Sequence, residues 1–133
     1  MTLHLSLKEK WFRMIQSGEK REEYREITPY WMKRLCWDDD YNEPMNKEDI
    51  EALCQHPKVE NMFDAGWKPK PFTHVHFTLG YPKADDAARH MTRQIADITI
   101  GTGRPEWGAV EGKQYFVIKL EPTIKNSEKE KEI

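Results

Sequence analysis

Residues 73–81 read THVHFTLGY, and no other stretch of the chain limits the fold so firmly. Val75, Phe77 and Leu79 fall on one face of an extended backbone and His74, His76 and Thr78 on the other, the two-residue period of a half-buried strand. Gly80, Tyr81 and Pro82 end it. Such a strand needs partners. Residues 3–7, LHLSL, alternate in the same way, and residues 114–122, QYFVIKLEP, read as a closing strand. Residues 90–101, HMTRQIADITIG, alternate with a phase slip between Ile95 and Ala96 that a β-bulge absorbs. Ala84, Ala88, Met91 and Ile95 offer a competing helical spacing; the strand, ending near Gly101, is the preferred reading.

Helical patterns crowd into the first half. Ser6 with Glu9 three residues on predicts a capping box for the helix in LKEKWFRMIQSG, which puts Trp11 and Ile15 on one face with Phe12 beside them. Gly18 stands where a glycine ends a helix. The next residues, EKREEYREI, have good helix formers, but no new N-cap precedes them and Tyr24 and Ile27 make a poor apolar stripe, so they read as a strand. Thr28 and Pro29 suit the N-cap and first turn of a second helix in TPYWMKRLCW, and Asn46 caps a third in NKEDIEALCQ. Residues 38–72 then form an acidic insertion, a flap or a cover for a sheet edge. Residues 101–113 are a glycine-rich turn; GTGRPEWG within it lacks the lysine and following helix of a phosphate loop.

About five strands without regular βαβ alternation predict an α+β fold, a small and mostly antiparallel β-barrel with helices packed around it. The 133 residues suit one domain, residues 1–121, followed by a charged, disordered tail at 122–133. Trp11, Phe12, Phe77, Phe116 and Ile118 are assigned to the core. Trp31, Trp37 and Trp67 are expected to pack the insertion onto the barrel, unless one of them lines a cleft.

The net charge of −2 argues against a general nucleic-acid binder, yet its distribution is uneven. Residues 1–35 sum to +3 and residues 38–64 to −7, so a basic groove in the first part is compatible with the low overall charge. No apolar run approaches the ~20 residues needed to cross a bilayer, and the N-terminus has no signal-peptide pattern. Cys36 and Cys54 have no CxxC spacing and read as reduced, buried thiols of a cytoplasmic protein. No pattern calls for a cofactor. His74 and His76 lack a third ligand at a recognisable spacing and read as solvent-facing side chains, with no metal.

The chemistry-bearing pattern is SGEKREEYRE, residues 17–26. Gly18, Lys20, Glu23 and Arg25 spell G-x-K-x-x-E-x-R. This resembles the signature of ASCH domains, relatives of the PUA RNA-binding fold. HFTLGY followed by ADITIGTGRPEWGAVEGKQYFVIKL is similar to the closing half of small bacterial and prophage ASCH proteins, and the resemblance covers roughly residues 3–120. It implies a PUA-like barrel with a cleft beside the motif, and RNA, nucleoside or nucleotide ligands. It also implies an alternative: some members are hydrolases, either amidohydrolases of acetylated cytidine or ribonucleases. The amidohydrolase branch uses a lysine, a threonine three residues later and a distant glutamate. Lys20 matches the lysine, Glu23 stands where the threonine would be, and Glu106 is a candidate for the glutamate by its loop position.

Within such a cleft Arg25 can hold a phosphate, or Glu23, with two parallel hydrogen bonds. Lys20 can serve as a point charge, or as a base once burial lowers its pKa. Glu23 can accept from the exocyclic amine of a base, and Tyr24, Tyr81 or Trp107 can stack on one. If the protein is an enzyme, Lys20 and Glu23 are the acid–base pair. The plain alternative is a surface ion-pair ladder, because in a regular strand Glu23 and Arg25 share a face and Lys20 points away. Convergence requires a bulge, or a Lys20 that still lies in the turn after Gly18. A third reading has Asp38, Asp39 and Asp40 docking on a basic partner; a solvated flap explains the same residues.

Overall fold

The computed structural model describes residues 1–38, 43–44, 47–48, 51 and 67–122. In β1 (Thr2–Leu7) the alternation becomes burial: Leu3, Leu5 and Leu7 point inwards, Thr2, His4 and Ser6 outwards. Helix α1 (Glu9–Gln16) follows at once, with Lys8 as its N-cap and no side chain capping it. The capping box predicted at Ser6 and Glu9 therefore does not form. Ser6 is still paired in β1, which runs to Leu7 and leaves it two residues short of the cap. Phe12 and Ile15 are buried, whereas Trp11, predicted to be core, is only half-buried on the flank of the helix. Gly18 closes the turn with φ +85°, a conformation that L side chains rarely adopt, and its N–H donates to the Ile15 carbonyl.

The strand reading after Gly18 holds, with β2 starting only at Glu22 (Glu22–Glu26). Helix α2 (Pro29–Leu35) has the predicted cap: the Thr28 hydroxyl accepts from the Trp31 N–H at 3.3 Å. It stops two residues before its predicted end, because Cys36 and Trp37 enter β3 (Cys36–Asp38). With β4 (Glu43–Pro44) and β5 (Trp67–Pro69), β3 forms a small antiparallel sheet of order β4-β3-β5. Strands of two or three residues leave no periodicity to read, so this sheet was not predicted. The helix expected after Asn46 falls largely outside the described residues. Asp39, Asp40, Cys54 and residues 123–133 lie outside them altogether.

The main sheet adds β6 (His74–Leu79), β7 (His90–Thr102) and β8 (Gln114–Leu120), in the order β1-β6-β7-β8-β2. All its pairings are antiparallel except β1 with β6. Strand β7 is the hinge of the architecture. Its first half pairs with β6 and its second with β8, and the register shifts between Ile95 and Asp97, at the predicted bulge. The result is a curled, mostly antiparallel sheet, a half-barrel with α1 and α2 packed on it. The curl brings edge strands β1 and β2 together, so that Arg25 of β2 donates to the Ser6 carbonyl of β1 at 3.3 Å.

Inside the curl Leu3, Leu5, Phe12, Ile15, Met32, Leu35, Val75, Phe77, Phe116 and Ile118 form one continuous core. Each large side chain buried there contributes about 1.5–3 kcal/mol of transfer free energy. No helix among the described residues is long and apolar enough to cross a membrane.

Candidate functional site

Among the described residues, Lys20 and Glu23 are the two charged ones that are buried, at 2% and 4% exposure. Lys20 lies in the turn before β2, where its N–H is held by the Met14 carbonyl at 3.0 Å. Because it is not yet in the strand, the alternation of β2 does not govern it, and its side chain reaches the face that Glu23 and Arg25 share. Lys20 Nζ donates to Glu23 Oε1 at 3.0 Å. The same oxygen accepts from the Tyr24 N–H at 2.9 Å and lies 3.5 Å from Arg25 Nη1. The three charges converge, as one of the two predicted routes allows.

The electrostatics are those of a buried pair that must stay paired. Burial lowers the Lys20 pKa from its ordinary value; Glu23 opposes this and Arg25 adds to it. Two cations crowd one carboxylate oxygen, while the other, Glu23 Oε2, is buried and has no hydrogen-bond partner.

Aromatic rings surround it. Lys20 Nζ sits 4.6 Å from the centre of the Trp11 ring and 5.8 Å from that of Tyr24. Arg25 stacks on Trp31 at 5.2 Å. Together with Lys8, Trp107, Gly108 and Tyr115 these residues line an open cleft of about 440 Å³. Tyr24 is fixed from behind: its hydroxyl donates to Glu22 at 2.8 Å and accepts from the Arg104 N–H at 3.0 Å. Gly103 makes that packing possible, since a Cβ there would come within 2.7 Å of the Tyr24 ring and 2.6 Å of the Ala109 Cβ.

Lys20, Glu23, Tyr24, Arg25 and Trp107 thus meet at one cleft. Gly18 is not among its walls and acts through the turn that delivers Lys20. Tyr81 is 97% exposed and lines a neighbouring cavity instead. Glu106 is exposed, sits 3.8 Å from Arg104, and is not part of the cleft lining. The histidines of β6 lie across the sheet from the core. They are half-buried, not fully solvent-facing, and His76 bonds through Nε2 to His90 Nδ1 and through Nδ1 to the Thr92 hydroxyl, both at 2.9 Å. Cys36 is a free thiol with no exposure, its pKa pushed up to about 12 by burial.

Sequence reasoning missed Trp11 and Lys8, and left Trp31 as a choice between core and cleft; Trp31 does both. The signal for Trp11 was its place beside Phe12, at the border of the helix's apolar face, where an aromatic ring can turn to either side. The arrangement can accept an N–H, donate to an acceptor beside it, and hold a flat ring between aromatic walls. Comparison of the chain with protein-family models, with curated proteins and with solved structures returns no match.

Proposed function

We propose that the half-barrel is a PUA-like domain of the ASCH type and that its cleft binds RNA or a nucleotide by gripping one base. The observation that carries this reading is the Glu23 carboxylate, buried beside Lys20 and Arg25 at a cleft walled by Trp11, Tyr24, Trp31 and Trp107. A base bearing an exocyclic amine offers a donor to that carboxylate, and its ring meets the aromatic walls, where stacking contributes about 1–3 kcal/mol. Lys20, already beside Glu23, answers an acceptor on the same base edge. Cytosine, adenine and guanine carry the amine; uracil does not.

The test is a titration of the protein with nucleosides and short RNA at low salt, followed by tryptophan fluorescence. Cytidine or adenosine is expected to bind more tightly than uridine, by about 10-fold for one hydrogen bond to a charged acceptor. Glu23→Gln should abolish that preference. An absence of binding by every nucleoside and oligonucleotide rejects the reading.

One observation favours a second reading, a hydrolase acting on a modified nucleoside or on RNA. Burial that lowers the Lys20 pKa makes it a better base at neutral pH, with Glu23 at 3.0 Å to take part in proton transfer. The carboxylate at the threonine position weighs against the amidohydrolase route. Assaying the same mixtures for product separates the two: turnover lost in Lys20→Ala supports the hydrolase, and binding without product supports the binding module.

A further inference from the structure

A second cavity of about 510 Å³ adjoins the cleft and shares Ser6, Arg25 and Trp31 with it. Its chemistry is different. Arg25 and Arg34 line it together with His4, Tyr30, Thr78 and Tyr81, and no carboxylate does. Trp31 forms the partition, with the Arg25 guanidinium 5.2 Å and the Arg34 guanidinium 5.3 Å from its ring centre.

Both arginines are held in place by the free edge of β1. Arg25 donates to the Ser6 carbonyl and Arg34 to the His4 carbonyl, with a further bond from Arg34 to the Tyr30 hydroxyl at 3.1 Å. A guanidinium carries five N–H donors in a fixed fork, so these bonds orient the group without exhausting it. Among the described residues no carboxylate lies within ion-pair distance of Arg34. Lys33 and Arg34 both disfavour the charged form of Lys70, so like charge accumulates on this side of α2. Arg34, immobilised and without a carboxylate partner, suits a planar, bidentate anion at low entropic cost, while Arg25 beside it is shared with Glu23.

We propose that this second cavity is a phosphate subsite contiguous with the base cleft, so that the ligand is a phosphorylated nucleotide unit and not a nucleoside. The inference rests on the base-gripping reading of the cleft. Its phosphate is received by Arg34, with Arg25 bridging the two chambers. Tyr30 and Tyr81, 61% and 97% exposed at the rim, offer stacking faces for a neighbouring base of a single strand.

The experiment compares four probes on the full chain: a nucleoside, its monophosphates, a single-stranded hexanucleotide and inorganic phosphate. The phosphorylated forms should bind about 10-fold or more tightly than the nucleoside, the scale of a charge-assisted bidentate contact. Arg34→Gln should erase that gain while leaving the nucleoside dissociation constant unchanged. For the hexanucleotide it should also lower the slope of log K against log salt by about 0.7, the share of a single phosphate. Should Arg34→Gln fail to fold, Arg34→Lys decides: it keeps the charge and the salt slope but loses part of the affinity gain.

Nucleoside binding with no gain from phosphate overturns the subsite and leaves the base cleft standing. Equal weakening of nucleoside and nucleotide by Arg34→Gln also overturns it, because Arg34 then only supports the fold. Silence from all four probes sinks both readings. Monophosphates as tight as the hexanucleotide support a free nucleotide as the source of the phosphate; a tighter hexanucleotide supports a strand.

Discussion

Strands β6 and β2 are both short and amphipathic, yet they treat their polar residues in opposite ways. Strand β6 lies inside the sheet, between β1 and β7, and keeps His74, His76 and Thr78 half-exposed on its outer face. Strand β2 is a sheet edge, and it buries two adjacent residues, Glu23 and Tyr24, which point to opposite faces. Position in the sheet does not decide burial; what lies over each face does. Over β2, Trp11 and the turn carrying Lys20 cover Glu23, and the loop of Gly103 and Ala109 packs on Tyr24 with Tyr115 and Trp107. A covered edge strand can bury a charge, provided a partner is buried with it.

The sharpest way to break this contrast is to remove one charge. Glu23→Ala strands Lys20 in the interior and should cost about 3–5 kcal/mol in chemical denaturation. Removing both charges with Lys20→Met and Glu23→Leu should restore most of that loss, since a buried pair replaced by apolar groups is often neutral. In the apolar core Phe77→Ala should cost a similar ~3–5 kcal/mol, with no second substitution of this kind to restore it. A Glu23→Ala cost near zero would mean that the pair is solvated and the cover over β2 is open.

A smaller effect probes the cover itself. Gly103→Ala places a methyl group against the Tyr24 ring and Ala109, where the backbone cannot relieve the clash without moving. Overpacking of this kind should cost about 1–3 kcal/mol, and displacement of Tyr24 should weaken nucleoside binding in the same variant. Unchanged stability and affinity would show that the loop does not press on the site.

The mildest test lies on β6. His90 Nε2 faces the Lys83 carbonyl, which can only accept, so that nitrogen carries a proton. In the neutral chain His90 Nδ1 then accepts from His76 Nε2–H, and His76 Nδ1 accepts from the Thr92 hydroxyl. Burial, His90 and His4 lower the His76 pKa. Between that lowered value and the ordinary ~6.5 the unfolded chain binds more protons than the folded one, so the contribution of His76 to stability is present above ~6.5 and is lost as pH falls through the folded value. Denaturation midpoints measured across this window should lose part of their pH dependence in His76→Gln, and imidazole NMR titration should place His76 below the ordinary ~6.5. A His76 titrating above ~6.5 would contradict the network.

Much of the framework was legible because its signals are local. The Thr28 cap, the Gly18 turn, the alternation of β1 and β6 and the bulge near Ala96 each depend on a few neighbouring residues. The failures have a common cause, competition from a partner distant in sequence. Ser6 has the right spacing for a cap but is taken by pairing with Thr78, and Cys36 leaves the helix to pair with Pro69. Trp11 looked like core and was drawn to the cleft by Lys20. At the site, the resemblance carried by G-x-K-x-x-E-x-R singled out Lys20, Glu23 and Arg25, whereas Arg34 carried no local mark separating it from the other cations.

By itself, then, the sequence determined the strands of the main sheet, the Thr28 cap, the Gly18 turn, the bulge and the uneven charge, because hydrophobic period and backbone preference act over a few residues. Whether the charges of SGEKREEYRE formed a ladder or a site was decided only by the tertiary structure. The turn after Gly18 frees Lys20 from the strand's alternation. Pairing of β2 with β8, at the far end of the chain, and the curl at β7 then close Trp11, Trp31 and Trp107 around the charges. Convergence of this kind depends on how far the sheet bends and what covers its edge, and neither quantity is written in any short stretch of chain.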